Sequence, residues 1–195
     1  MQATTLSYDN LHLHGRLFAN VFRARHAVFI QQAGWDLPQA DGMEFDQYDT
    51  PATRWVCVHA DETVLAGVRI TPTTHRCGIY SYMIRDAQNG LLQTIPRDLL
   101  NFEAPVDPRI WESSRVFVTE SVCAADRTRV QALLMHELVQ AARAVDAHTL
   151  LGIIPEHSPR LARRLGLPCE TVGPVLDTGG MRAACVSMDI TSACA

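Results

Sequence analysis

The chain has no apolar run near the roughly 20 residues that a membrane-spanning helix needs, although 47% of its 195 residues are hydrophobic. Membrane insertion is therefore not expected. The first residues, MQATTLSYDNLHLHGRLF, lack the basic start and continuous apolar core of a signal peptide, so a cytoplasmic location is expected. A basic excess is also missing: the formal net charge is -4, which argues against a nucleic-acid partner. Cysteine appears six times, at 57, 77, 123, 169, 185 and 194, but never as C-x-x-C, and no short Cys/His spacing has the pattern of a zinc site. A zinc site is not indicated, and reduced, mostly buried thiols are expected. No internal repeat, low-complexity tract or long linker divides the sequence. Residues 1–195 read as a single domain, long enough for a sizeable core.

Several elements can be placed by periodicity. Residues 14–33 carry Leu17, Phe18, Val21, Phe22, Val28 and Phe29 at helical spacing, with Gly34 as a stop. Residues 35–53 have no clear period and read as a loop, long enough to suggest a functional one. Arg54–Ala60 and Val64–Pro72 form a hairpin pattern about Asp61, Glu62 and Thr63. A short strand is expected over 79–84, and broken helical pieces over 86–101. Further on, Ile110–Thr119 reads as a strand, and a long helix is expected to start from an N-cap at Asp126 and run to Ala144. A strand at Leu150–Ile154, a short helix at Ser158–Leu165 and a last strand at Met181–Ile190 complete the chain. That order fits an α/β fold, a mixed β-sheet flanked by helices.

Charges in unusual places point towards function. Arg69 sits within an apolar strand, and Glu112 and Arg115 sit within IWESSRVFV. Isolated buried charges are costly, so such residues are paired or face a wet site; a solvent-facing strand edge accommodates them equally well. Strand alternation puts Glu112 and Arg115 on opposite faces unless a twist or bulge intervenes. Upstream, Arg25 and Phe29 lie one helical turn apart, followed by Trp35 and then Asp46 and Asp49. Phe29 and Trp35 taken alone suit a core as readily as a ligand.

In this order and spacing, Arg25, Phe29, Trp35, Asp46, Asp49, Arg69, Glu112 and Arg115 resemble the signature of the LuxI-type acyl-homoserine lactone synthases. The surrounding segments RHAVF, GW, EFDQYD, GVRITPT and WESSR agree. The likeness is strong over about residues 16–120 and looser beyond. One departure is Gln88, which stands where the family commonly has a phenylalanine after a Tyr-Met-Leu-like run, here Tyr82–Met83–Ile84.

The resemblance implies an acetyltransferase-like (GNAT-like) mixed sheet with a central cleft. It also implies an enzyme that acylates the amine of S-adenosylmethionine from an acyl thioester, closes the lactone and releases methylthioadenosine. S-adenosylmethionine is then a substrate, with no cofactor, metal or acyl-cysteine implied. Glu112 is the expected base for the ammonium, with Asp46 the alternative, and Arg115 completes the catalytic group. Arg25, Phe29, Trp35, Asp49 and Arg69 are expected at the S-adenosylmethionine site. There the carboxylates suit a cationic ligand, the arginines hold its carboxylate or fix the acids, and the two rings cover the sulfonium. The acyl group comes from acyl carrier protein or coenzyme A. Residues 121–127 contain no glycine, which argues against acetyl-coenzyme A chemistry of the ordinary kind. Arg160, Arg163 and Arg164 share one face of a short helix and form a candidate dock for an acidic carrier, or else a solvated basic face. Two other readings stay open: an N-acyltransferase for a different amine, and a non-enzymatic module that binds S-adenosylmethionine or acyl chains.

Overall fold

A computed structural model describes residues 1–177 and 182–194. In chain order the elements are β1 (Gln2–Leu6), a 3-10 turn (Leu11–Leu13), α1 (Gly15–Arg25) continued by a π-helical stretch (His26–Gln32), β2 (Gln39–Ala40), β3 (Met43–Glu44), β4 (Arg54–Ala60) and β5 (Thr63–Pro72). They continue with α2 (Met83–Gln88), β6 (Ile110–Val118), α3 (Ala124–Ala144), β7 (Thr149–Pro155), α4 (Ser158–Arg164), β8 (Cys169–Asp177) and β9 (Arg182–Asp189). The chain forms two compact units, one of Met1–Ile70 with Arg115–Ala141, the other of Thr71–Ser114 with Ala142–Ala195.

In the first unit β1 pairs antiparallel with β4, and β4 with β5. The β4–β5 turn uses Asp61 at φ +50°, a conformation aspartate tolerates better than most residues. Helix α1 turns Leu17 and Val21 inward, where with Phe29 they pack on Trp55, Cys57, Val64 and Phe117. Gly67 is needed there, because a Cβ on it would stand 2.7 Å from the Phe117 ring. Helix α3 buries Val130, Leu134, Leu138 and Val139, while Leu133 is only half-buried. Its start differs from expectation. The helix begins at Ala124, so Asp126 lies inside the first turn, where its Oδ2 accepts the Cys123 thiol at 3.3 Å. An acid there still complements the helix dipole.

In the second unit β6 runs parallel to β7, and β9 is antiparallel to both β7 and β8. The fold is therefore the expected mixed α/β type. Among the described residues, parallel pairing covers Ile110–Ser113 opposite Thr149–Gly152. The strand expected over 79–84 is absent; a lone Cys77–Tyr80 bridge is followed by α2. Side-chain oxygens explain the outcome. Asp86 accepts the Ser81 N–H (2.9 Å), and Glu112 accepts the N–H groups of Met83 (3.2 Å) and Ile84 (2.7 Å). These bonds satisfy donors that a helix start leaves open, and Ile84 and Ala87 become core. Gly90, at φ +77°, ends that excursion, and no second helical piece follows before β6.

Strands β1 and β8 were not expected from the pattern. In β8, Gly173 and Pro174 break the alternation, and a register shift between Thr171 and Val175 absorbs them. The irregular stretch between α2 and β6 is pinned by polar contacts. The Gln88 amide donates to the Phe102 carbonyl (2.8 Å) and accepts from the Ala104 N–H (2.7 Å), the Tyr82 hydroxyl donates to the Pro105 carbonyl (2.6 Å), and the Asn101 N–H donates to the Val172 carbonyl (3.0 Å). The glycine at 173 permits that last approach, since a Cβ there would fall on the Leu99 carbonyl. Gly173→Ala is therefore expected to destabilise the protein by ~1–3 kcal/mol, read as a lower Tm. An unchanged Tm would show that the 99–101 segment does not seat against β8.

Candidate active site

The site begins where α1 changes its winding. After Arg25 the helix widens into the π-helical stretch, with the Ala33 N–H donating to the Val28 carbonyl and the Trp35 N–H reaching the Phe29 carbonyl. Gly34 turns the chain at φ +68°. The result lays the Trp35 ring flat on Phe29, with centroids 5.1 Å apart and planes 19° from parallel. Phe29 is core, whereas Trp35 stays 37% exposed.

The 35–53 region contains more order than its composition implies. Asp41 and Gly42, both at positive φ (+52° and +71°), close the small β2–β3 hairpin. Asp-Gly is the preferred pair for such a turn. The hairpin delivers Glu44 to a fully buried position, and a tight turn follows, in which Asp46 N–H donates to Asp49 and Tyr48 N–H to Asp46 (both 2.9 Å).

Three arginines meet these three acids. Arg25 binds Glu44 through Nε (2.6 Å) and Asp49 through both Nη atoms (2.7 and 2.9 Å). Arg69 Nη1 reaches Asp46 (2.5 Å) and Asp49 (3.1 Å). Arg115 Nη2 reaches Asp46 (2.8 Å) and Glu44 (3.2 Å). Each carboxylate thus bridges two arginines and each arginine two carboxylates, closing a six-membered ring of alternating charge. No member is more than 9% exposed. Every one of the chain's 17 basic residues is an arginine, and a planar guanidinium suits this double bridging in a way that a lysine ammonium does not. The Trp55 indole N–H adds a bond to Asp49 (2.9 Å).

Arg115 enters the ring through a distortion of β6. It has φ +54°, and backbone bonds before and after it (Thr73 N–H to Ile110 O, Thr119 N–H to Leu65 O) are out of step by one residue. This is a β-bulge, so simple alternation fails at Arg115. Its guanidinium also lies over the Phe29 ring, 5.6 Å from the centroid.

The ring sets the protonation of its members. Burial alone would raise the Asp46 carboxyl, but the charges of Arg69 and Arg115 outweigh it and hold the group below its ordinary value. Asp49 likewise resists burial through Arg69 and Arg25 and is held far down. Burial would lower Arg25, and Asp49 more than offsets this, so its pKa is raised. Asp46 and Asp49 are therefore carboxylates at neutral pH, and with three arginines against three acids the ring is formally neutral.

Of the expected residues, Arg25, Asp46, Asp49, Arg69 and Arg115 are joined in this ring, and Phe29 and Trp35 in the stack. Glu112 belongs to the second unit, wholly buried at the start of α2. Glu44 is the residue missed. It lies inside EFDQYD, and two signals pointed to it: the Asp-Gly hairpin turn, and three arginines at apolar positions facing only two named aspartates. On α4 all three arginines are exposed, but Arg163 Nη1 donates to the Cys169 carbonyl at 2.6 Å, which leaves Arg160 and Arg164 as the open face. The thiols are half, not mostly, buried: Cys57, Cys169 and Cys185 are inside, Cys77, Cys123 and Cys194 outside, and all are free. Burial pushes Cys57 and Cys185 up to about 12, which makes them poor nucleophiles. Among the described residues no group of three or more His, Cys, Asp or Glu is placed to hold a metal ion.

The autoinducer synthase family model matches residues 9–194. The chain belongs to that family. An acyl-homoserine-lactone synthase of Ralstonia nicotianae is 34% identical over 178 residues, covering 88% of this chain and 81% of the relative. The crystal structure of TofI in a ternary complex with an inhibitor and MTA is 26% identical, with a TM-score of 0.77 over 97% of this chain and 92% of that one. At the level of fold alone, an acyl-CoA N-acyltransferase from Pseudomonas aeruginosa superposes with a TM-score of 0.57 at 16% identity, covering 96% and 97% of the two chains.

A pH test follows for this autoinducer synthase. Asp46 and Asp49 are lowered in the fold, so their stabilisation is complete above the ordinary carboxylate value of 3.8. It is lost as pH falls below that value towards their folded ones. Thermal melts are expected to show no change from these groups between pH 7 and 5 and a steep loss below about pH 4. Asp49→Asn should cost ~3–5 kcal/mol at pH 7 by leaving buried arginine charge uncompensated, and should flatten the acid limb. An acid limb as steep as in the wild type would show that the ring is not its source.

Proposed function

We propose that residues 1–195 act as one autoinducer synthase domain that acylates S-adenosylmethionine and lactonises it to an acyl-homoserine lactone, a quorum-sensing signal. The observation that carries this is the closed ring of Arg25, Glu44, Arg115, Asp46, Arg69 and Asp49, in which Glu44 joins five positions of the family signature beside the Phe29–Trp35 stack. In the first step the substrate ammonium gives one proton to solvent by way of a base, the resulting amine attacks the acyl carbon, the C–S bond breaks, and the second proton lost by nitrogen reaches the departing thiolate. In the second step the substrate carboxylate oxygen attacks its own γ-carbon, the bond to the sulfonium breaks, and neutral methylthioadenosine leaves. The MTA named in the TofI complex fits that leaving group. S-adenosylmethionine is consumed as a substrate, and the chemistry calls for no further cofactor.

Roles follow from environment. Trp35, exposed and stacked on Phe29, offers its outer face to the sulfonium and adenosine. Arg25, Arg69, Asp46 and Asp49 hold the segment carrying that cover, since their charges are turned on one another. Arg115 anchors β6 to the same ring. Asp46 is the weaker candidate for the base, because two arginines hold it ionised with little affinity for a proton. Glu112, which accepts the backbone N–H groups of Met83 and Ile84 and lies outside the ring, is the base we assign. No described helix is long and apolar enough to cross a membrane, and we place the enzyme in the cytoplasm, where both substrates are made.

Two measurements test this reading. Purified protein given S-adenosylmethionine and an acyl thioester is expected to release methylthioadenosine and acyl-homoserine lactone in equal amounts by mass spectrometry. An acylated amine without methylthioadenosine would make it an N-acyltransferase of another kind. Glu112→Gln should lower kcat by about 10²–10⁴-fold with KM for S-adenosylmethionine little changed. A change in Tm alone would reduce Glu112 to the cap of α2.

For the acyl donor we propose acyl carrier protein, docked through Arg160 and Arg164. Reversing both charges should raise KM for the acylated carrier and leave KM for S-adenosylmethionine unchanged. The difference should shrink with salt, as the Debye length drops from about 10 Å at 0.1 M to about 3 Å at 1 M. A better rate with acyl-coenzyme A and no effect of the reversal would end this assignment.

A further inference from the structure

Two side chains of the second unit bury a hydroxyl that has no hydrogen-bond partner among the described residues: Thr71 Oγ1 and Ser81 Oγ. Thr71 is 0% exposed. Buried polar groups are almost always paired, and one left open points to strain or to a ligand. A threonine hydroxyl at a wholly buried strand position is replaceable by valine at no loss of volume, so packing alone does not call for it.

Its place in the sheet says what it faces. The Thr73 N–H donates to the Ile110 carbonyl at 3.2 Å, which sets the antiparallel register of β5 on β6. Two residues further along each strand, Thr71 stands opposite Glu112. Directly opposed residues of an antiparallel pair project from the same face, with Cβ atoms about 4.5–5.5 Å apart. Glu112 has one oxygen on each of two backbone N–H groups, and the pairing of β6 with β7 ends one residue later, at Ser113. An uncommitted hydroxyl therefore shares a buried face with the carboxylate assigned as base, where a strand loses its neighbour.

We propose that Thr71 is a catalytic residue whose hydroxyl donates a hydrogen bond to the carbonyl oxygen of the acyl thioester. The inference rests on the reading that Glu112 serves the amine. As nitrogen bonds to the acyl carbon, the carbonyl π pair moves onto oxygen. When the tetrahedral species collapses, that pair returns and the C–S bond breaks. The thiolate then takes the proton removed from the amine. A neutral donor fits the transient oxyanion, whereas Glu112, an acceptor of two N–H groups, does not. A hydroxyl that stays unpaired until the oxygen gains charge contributes most in the transition state.

The test uses Thr71→Val, with Thr71→Ser as the rescue and Thr71→Ala as a second hydroxyl-free form. Each is assayed beside the wild type with an unsubstituted and a 3-oxo acyl donor. We expect kcat to fall about 100-fold with both donors in the Val and Ala forms. KM for S-adenosylmethionine should hold, Ser should restore turnover to within about 5-fold, and the Tm of the Val form should equal or exceed that of the wild type. Unchanged kcat, a loss limited to the 3-oxo donor, or a loss accompanied by a lower Tm in the Val form would each overturn the proposal. Failure of the wild type to release methylthioadenosine would instead overturn the functional reading, and Thr71 with it.

Discussion

Six charges that cannot be buried separately are buried together, and the first unit is organised around that constraint. Taking one ion out of water costs several kcal/mol even after relaxation. The ring offsets this cost because every carboxylate meets two guanidinium groups and every guanidinium two carboxylates. Its formal charge is zero, and removal of any one member leaves a net buried charge. Such an arrangement adds less to stability than to uniqueness. It ties the end of α1, the β2–β3 hairpin, the turn after it, β5 and β6 into one geometry, and other packings leave a charge without its partner.

The backbone bends to meet that demand. The π-helical stretch after Arg25 sets the angle at which Trp35 returns to Phe29. The bulge at Arg115 carries its guanidinium to Glu44 and Asp46. Positive φ at a non-glycine residue is costly and tends to collect at functional sites, and π-helical turns do the same. Both distortions flank the ring, so the local cost is met by the ion pairs they allow.

How much of this could be read from the residues depends on the range of the forces involved. The hairpin 54–72, the strand from Ile110 and the short helix at 158 follow from alternation and helical spacing, and the structure has them. The 79–84 stretch, rich in tyrosine and isoleucine, suggested a strand. Acceptors on Asp86 and on the distant Glu112 turned it into a helix start, and no local pattern records Glu112 as a cap. Asp126 gave a local cap signal, yet the helix starts two residues earlier at Ala124. The site residues were legible because an arginine or glutamate inside an apolar strand demands a partner. Glu44 escaped because its burial depends on a two-residue hairpin too short for periodicity. Arg163 shows the opposite limit: helical spacing put it in a patch, and only the fold shows it bound to the Cys169 carbonyl.

Two kinds of carboxylate result, and their difference bears on the proposed chemistry. The ring acids each meet two guanidinium groups, and Glu112 accepts two backbone N–H groups. S-adenosylmethionine carries a sulfonium, an ammonium and a carboxylate, and becomes two neutral products. A surplus of negative charge beside it would hold the cation most strongly in the ground state and lose that attraction as the sulfonium is consumed. Binding of that sort lowers KM without raising kcat. A neutral ring avoids this: it shapes the segment bearing Trp35, and in the proposed reading the sulfonium is left to an aromatic face. Glu112, which accepts the N–H groups of Met83 and Ile84, is the acid proposed to take the proton from the ammonium.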